Sequence, residues 1–243
     1  MLIAATGDVH SPRYFDEYVH AVDNLIDQPD LFLITGDMVH RGEIGEYEKI
    51  YNVLFGKIKC PIVACFGNNE FAELRSELKR RFPSIHFLDD QSIILNVAGM
   101  GVGIVGTTGS LETPTPWQRR NVPNIERIYK ERVSFVERHL RNMRVGFRIL
   151  LMHYAPTYKT LEGENPRFYS SMGWNVYENV LIQQKPELVL HSHSHHGKKQ
   201  AWVDTVPVFN VSLPVWHEIC LLYTSNAADE GLGVDLGGRR IIK

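Results

Sequence analysis

Residues able to do chemistry stand in short, widely separated groups: Gly7-Asp8-Val9-His10, Gly36-Asp37, Gly67-Asn68-Asn69-Glu70, His153, and His191-Ser192-His193-Ser194-His195. Imidazole, carboxylate and amide oxygen together suit a borderline divalent cation such as Mn, Fe, Zn or Co better than Mg or Ca. Histidine is the compositional outlier at eleven residues, and His191, His193, His195 and His196 crowd into one short tract, a hint of metal binding. Alternate residues of an extended chain point the same way. Asp8 and His10 are therefore expected to share one ion, and the same holds within His191, His193 and His195. One buried carboxylate can bridge two cations, and Asp37 is the candidate.

Elements that would position these groups can be read from the apolar pattern. Strands are expected at 2–6, 31–35, 62–66, 93–97, 102–105, 149–152, 188–190 and 208–211. Several are apolar without alternation, as suits strands covered on both faces. Helical spacing falls at 14–26, 43–54, 70–82, 124–141 and 175–183; in the first, Tyr18, Val22, Leu25 and Ile26 can line one face. The alternation predicts an α/β layered domain with helices outside. Each chemical group then sits just past the end of a buried strand, where open α/β sheets bind ligands. Two long irregular stretches, 107–123 and 154–173, carry Trp117, Arg119, Arg120, Tyr158 and Tyr169, groups suited to gripping a phosphate and a flat leaving group.

At 243 residues, 44% hydrophobic and 22% charged, the composition is that of a globular protein. A net charge of -2 gives no support to a polyanion-binding surface, so nucleic acid is not indicated as a partner. No secretory leader or membrane-length apolar run is read. The odd trio Cys60, Cys65 and Cys220 lacks metal spacing, so a reduced cytoplasmic setting with buried thiols is expected. From Cys220 the chain reads CLLYTSNAADEGLGVDLGGRRIIK. That run resembles the translation of a transposon adapter used in sequencing libraries. One domain is therefore expected over 1–219, with 220–243 as read-through that is not native.

In order, GDVH, GDMVHRG, GNNE, MHY and SHSH resemble the D-x-H, GD, GN, H and GHxH signature of the calcineurin-like metallophosphoesterase superfamily, over about Asp8 to His195. The resemblance implies a two-sheet α/β sandwich with flanking helices and two divalent metal ions, Mn foremost, with Fe, Zn, Co or Ni as alternatives. It implies that Asp8, His10, Asp37 and His195 hold one ion, and that Asp37, Asn68, His153 and His193 hold the other. It favours the His193–His195 pair over His191–His193, because the small residue preceding the pair then falls on Ser192. The implied activity is hydrolysis of a small phosphate ester by an activated water between the ions. Positively charged groups stabilise the equatorial oxygens, and Arg41 resembles the phosphate-gripping Arg of related phosphatases.

Two departures shape the expectation. Asn69 stands where the family usually has a His that assists the leaving group, and Ser192 replaces a Gly. An acid at that point is worth about 10²–10⁴-fold, and an amide cannot supply it; His40, His196 or Tyr154 are the substitutes at hand. Phosphodiesters and esters with good leaving groups are therefore expected to be favoured. The alternative from another class is a catalytically idle metal-binding scaffold on the same fold. A structural metal protein using the His cluster alone would leave Asp8, His10, Asp37 and Asn68 without a purpose.

Overall fold

In the computed structural model, which describes residues 1–224 and the backbone of 240–242, strands β1 (Leu2–Thr6), β2 (Leu31–Ile34) and β3 (Ile62–Cys65) are buried at every position. Their two faces explain the unbroken apolar runs. Ile3, Ala5, Leu31, Leu33 and Val63 point into the layer between two sheets. Ala4, Phe32, Ile34 and Ala64 point the other way, under helices α1 (Phe15–Asp23), α2 (Ile44–Leu54) and α3 (Arg75–Arg81).

The remaining elements are β4 (Ile85–Leu88), β5 (Gln91–Val97), β6 (Met100–Thr107), α4 (Pro116–Asn121), α5 (Ile125–Asn142), β7 (Phe147–Met152), α6 (Tyr177–Gln184), β8 (Leu188–His191), β9 (Gln200–Val203), β10 (Val206–Asn210), α7 (Leu213–Trp216), β11 (Cys220–Thr224) and β12 (Arg240–Ile242). One sheet runs β4-β3-β2-β1-β11-β12 and the other β5-β6-β7-β8-β10-β9. Strands β1 to β4 are parallel, as are β6, β7, β8 and β10, while β5, β9 and β11 pair antiparallel with β6, β10 and β1. Val136 and Leu140 of α5 and Tyr177 and Leu181 of α6 cover the outer face of the second sheet at Val105, Leu150 and Val189. The result is helix, sheet, sheet, helix: the expected two-sheet α/β sandwich with flanking helices. No helix among the described residues is long and apolar enough to cross a membrane.

Several local expectations are corrected. Helix α1 ends at Asp23, so Ile26 lies past it and is 90% exposed instead of packing beside Tyr18. The helix expected over 70–82 begins at Arg75, after a single 3-10 turn at Ala72–Leu74. Glu70 stays outside it because its carboxylate is bound to backbone elsewhere. The stretch 107–123 contains α4, started by a capping box between Thr115 and Gln118 with Pro116 in the first turn. Cys220–Thr224 pairs with β1, with Cys220 and Leu222 buried. This pairing leaves the read-through expectation for 220–243 as it stood, and 225–239 and 243 lie outside the described residues.

Candidate metal centre

The ladder between β1 and β2 continues past both strands. Asp8 N donates to Gly36 O, His10 N to Asp37 O and Ser11 N to Met38 O, at 2.9–3.0 Å. This fixes the Asp8 and Asp37 turns side by side. The second sheet is tied likewise, Ser192 N donating to His153 O at 3.1 Å. Side chains then join the two sheets at this edge. Asp8 Oδ2 accepts from His193 N at 2.6 Å, and Ser192 Oγ donates to Thr35 O at 3.1 Å.

The extended-chain reason for pairing Asp8 with His10 does not hold. Asp8, His10, Asp37, Arg41 and His193 all adopt positive φ, at 58°, 45°, 52°, 46° and 70°. Each side chain is aimed by a left-handed turn, a conformation that costs a non-glycine residue roughly 1–3 kcal/mol. Asp and His are among the types that tolerate it best. The glycine packed against the Asp37 turn has a steric reason. A Cβ on Gly67 would lie 2.1 Å from Asp37 Oδ1 and 2.5 Å from Asp37 N. Gly67→Ala is therefore expected to displace Asp37 and weaken metal binding by about tenfold or more, measured by titrating the ion into folded variant. Wild-type affinity would show that the turn yields.

The structure brings all the predicted ligand residues together, in two groups. Ligand atoms of Asp8, His10 and His195 lie within 4.8 Å of one another, and so do those of Asp37, His153 and His193. Asn68 joins the second group, its Oδ1 3.1 Å from His153 Nε2. Asp37 Oδ2 faces both groups, 3.5 Å from His153 Nε2 and 3.8 Å from His10 Nε2. His195 Nε2 lies 3.5 Å from Asp8 Oδ2 and 3.3 Å from His10 Nε2. His191 stands apart: it is fully buried, Nδ1 donating to Ser192 O at 2.8 Å and Nε2 2.8 Å from Thr160 Oγ1.

Two observations fit cations to these residues. Asp8 Oδ1 is buried with no hydrogen-bond partner among the described residues, a costly arrangement for an isolated oxygen. His153 Nδ1 donates to Thr35 O at 2.9 Å, so its Nε2 carries a lone pair, and it faces another acceptor at Asn68 Oδ1. An ion between them resolves that opposition, and the buried hydrogen bond orients the ring as metal-binding imidazoles are usually oriented.

Electrostatics favour the ligating forms of Asp8, His10, His153 and His193. At His195 burial alone would lower the pKa, but the hydrogen bond to Asp8 and the Asp8 charge raise it. Burial lowers His10 to about 4 and also lowers His153 and His193, leaving neutral rings. Burial alone would raise Asp8, but a hydrogen bond from His195 and the surrounding imidazoles hold it below the usual carboxylate range. Burial, and then the Asp8 charge, push Asp37 up to about 7, as expected for two carboxylates close together without a cation.

Asn69 does not aim at the open site. Its backbone N donates to Asp37 Oδ1 at 2.7 Å and its Nδ2 to Asp37 Oδ2 at 2.6 Å, while its Oδ1 accepts from Arg41 N at 3.1 Å. It steadies the bridging candidate. The Arg41 side chain is exposed. Tyr154 is buried and hydrogen-bonded to Gln118 at 3.3 Å, and burial raises its pKa well above normal, which removes it as an acid. His196 turns to Glu164 at 3.4 Å, whereas His40 keeps its ring 6.4 Å from that of His10. Arg119 and Arg120 face Glu126 and the Pro116 carbonyl, and the Tyr158 and Tyr169 rings contact each other at 5.6 Å.

Glu70 is the important residue whose role the sequence did not reveal. Buried to 1%, it accepts from Gly67 N at 2.8 Å, Asp37 N at 2.9 Å and Met38 N at 2.8 Å. It thereby locks the Asp37 and Asn68 turns together. Arg75 extends the lock, its Nε donating to Glu70 O at 3.1 Å and its Nη1 to Asp89 at 2.6 Å. An acidic residue two positions after a ligand was visible, but its partners 32 and 33 residues away were not.

The family model described as calcineurin-like phosphoesterase matches residues 1–197. Among solved structures, the phosphopantetheinyl hydrolase PptH from Mycobacterium tuberculosis is 14% identical, with a TM-score of 0.66 over 86% of this chain and 88% of that one. The protein TT1561 from Thermus thermophilus is 14% identical, with a TM-score of 0.57 over 86% and 88%. A 5'-nucleotidase precursor from the same organism is 16% identical, with a TM-score of 0.52 over 89% of this chain but 49% of that one. At these identities the likeness is one of fold. No curated protein matches the chain.

Proposed function

Because the chain belongs to the calcineurin-like phosphoesterase family, we propose that it hydrolyses phosphate esters at a dinuclear metal site and favours phosphodiesters over monoesters. The observation that carries this reading is the position of Asp37, whose Oδ2 faces ligand atoms of both groups. Asp8, His10, Asp37 and His195 would hold one divalent ion, and Asp37, Asn68, His153 and His193 the other, Mn being the best match among Mn, Fe, Zn, Co and Ni. Such a pair supplies a water of lowered pKa and neutralises the phosphoryl oxygens.

The chain's own residues do the rest. Asn69 and Glu70 fix Asp37, and Ser192 and the Thr35 carbonyl orient His153. Arg41, exposed and tied through its backbone N to Asn69, would meet a non-bridging oxygen of a small phosphate ester. Asn69 supplies no acid beside Asn68, since its amide is committed to Asp37 and Arg41 N, and Tyr154 and His196 are engaged elsewhere. A leaving group must then depart largely unprotonated, which favours diesters and activated esters. Asn69→His is expected to raise turnover of alkyl esters relative to p-nitrophenyl esters by about tenfold or more; an unchanged ratio counts against this account.

The test is hydrolysis of bis-p-nitrophenyl phosphate and p-nitrophenyl phosphate with added Mn²⁺ and with EDTA. Metal-dependent turnover favouring the diester is expected. Two bound ions per chain with no turnover of either ester would turn the reading to an idle metal-binding scaffold.

A further inference from the structure

Beside the metal centre lies a cavity of about 350 Å³ whose floor includes Asn68 and His193. Its walls are Phe71, Leu111, Trp117 and the Tyr154 ring, and its polar lining consists of Thr115, Gln118 and Ser171. None of these carries a formal charge. Trp117 is 62% exposed and Phe71 38%, so two aromatic side chains at this cavity are open to solvent. The His10–His195 side differs: His40 stands near His10, and Arg13 lies over Tyr14, whose ring is 6.5 Å from that of His195. No lysine or arginine is among the residues that line the cavity on the Asn68–His193 side, whereas Arg13 lies on the His10–His195 side.

We propose that this cavity binds one uncharged, flat aromatic ester group of the substrate, held by Trp117 and Phe71, while the phosphate lies at the metal centre. The proposal rests on the phosphoesterase reading and narrows it to aryl-type phosphate esters. Its volume falls in the range of small-ligand pockets, and a mostly apolar wall with a few neutral polar groups is the usual lining of such sites. Aromatic rings stack well on exposed indole and phenyl faces. A second phosphate or carboxylate at this place would meet no lysine or arginine among the lining residues, so an uncharged group is the better fit.

The test uses non-hydrolysable probes and calorimetric titration of the Mn²⁺-loaded protein. Phenylphosphonate is expected to bind about tenfold or more tightly than methylphosphonate. Trp117→Ala is expected to bring that ratio to about two or less with methylphosphonate affinity unchanged, and Phe71→Ala to reduce it independently. Equal affinities in the wild type, a ratio surviving both substitutions, or no binding of either probe to metal-loaded protein would each overturn the proposal. Because neither probe is hydrolysed, the two readings fail separately. Absence of ester turnover with the ratio intact sinks the phosphoesterase reading, and turnover with a ratio near one sinks the cavity.

Discussion

Asp37→Asn is expected to abolish metal-dependent diester hydrolysis, lowering kcat by at least about 10²–10³-fold, since loss of a mere outer partner of a metal ligand already costs about 10–100-fold. The substitution is nearly isosteric, so folding should survive, but it removes a carboxylate whose Oδ2 faces Nε2 atoms of both ligand groups. It also creates a conflict. Both Asp37 oxygens accept from Asn69, one from the backbone N–H and one from the side-chain amide. An amide at position 37 must turn an NH₂ toward one of those donors. Flipping the Asn69 amide would relieve the side-chain clash only by abandoning Arg41 N. Metal content and kcat measured together decide the point: a variant keeping both ions and its activity would remove Asp37 from the bridging position.

Glu70→Ala is expected to destabilise the fold by at least about 3 kcal/mol, because three buried N–H groups lose their acceptor at about 1–3 kcal/mol each. Against a total of about 5–15 kcal/mol, denaturant unfolding will register it clearly. Glu70→Gln separates stability from positioning. Burial, and then Asp37, raise the Glu70 carboxyl to about 7 in the metal-free protein. A raised folded-state pKa means stability that is full below the unfolded value near 4.5 and lost as pH rises through about 7. Gln does not titrate, so its deficit against the wild type should shrink over that interval. An unfolding series from about pH 4.5 to about pH 8 without metal checks the slope; a deficit that grows with pH would show that the ionised carboxylate is the stable form.

The site was legible where chemistry sits at the end of a doubly covered strand. Runs such as Leu31–Ile34 are apolar because both faces are buried, and the polar residue that follows is conspicuous. What could not be read was how the residues are aimed. Asp8 and His10 converge through left-handed turns, not through the alternation of an extended chain. Glu70 looked like the first residue of a helix because its partners, the Asp37 and Met38 amides, come from another loop. Strand β4 was missed because Ile85–Leu88 is four residues long and carries an exposed His86, and β9 because QAWV is half-covered and shows no apolar run. The T-P-x-Q start of α4 is a helix signal in its own right, obscured because its stretch has few apolar residues to make a period.

The two ligand groups have a further property. Each draws on both sheets: Asp8 and His10 follow β1 while His195 follows β8, and Asp37 follows β2 while His153 and His193 follow β7 and β8. Strands β1 to β4 occupy residues 2–88 and β5 to β10 residues 91–210, so apart from β11 and β12, which join the first sheet from the C-terminal end, the sheets come from consecutive parts of the chain. Neither half alone contains a complete group. Ion affinity therefore reports whether the halves have docked, and an ion once bound acts as a rivet across the seam. Two separately made fragments divided at the Asp89–Asp90 turn would turn metal into an assembly signal.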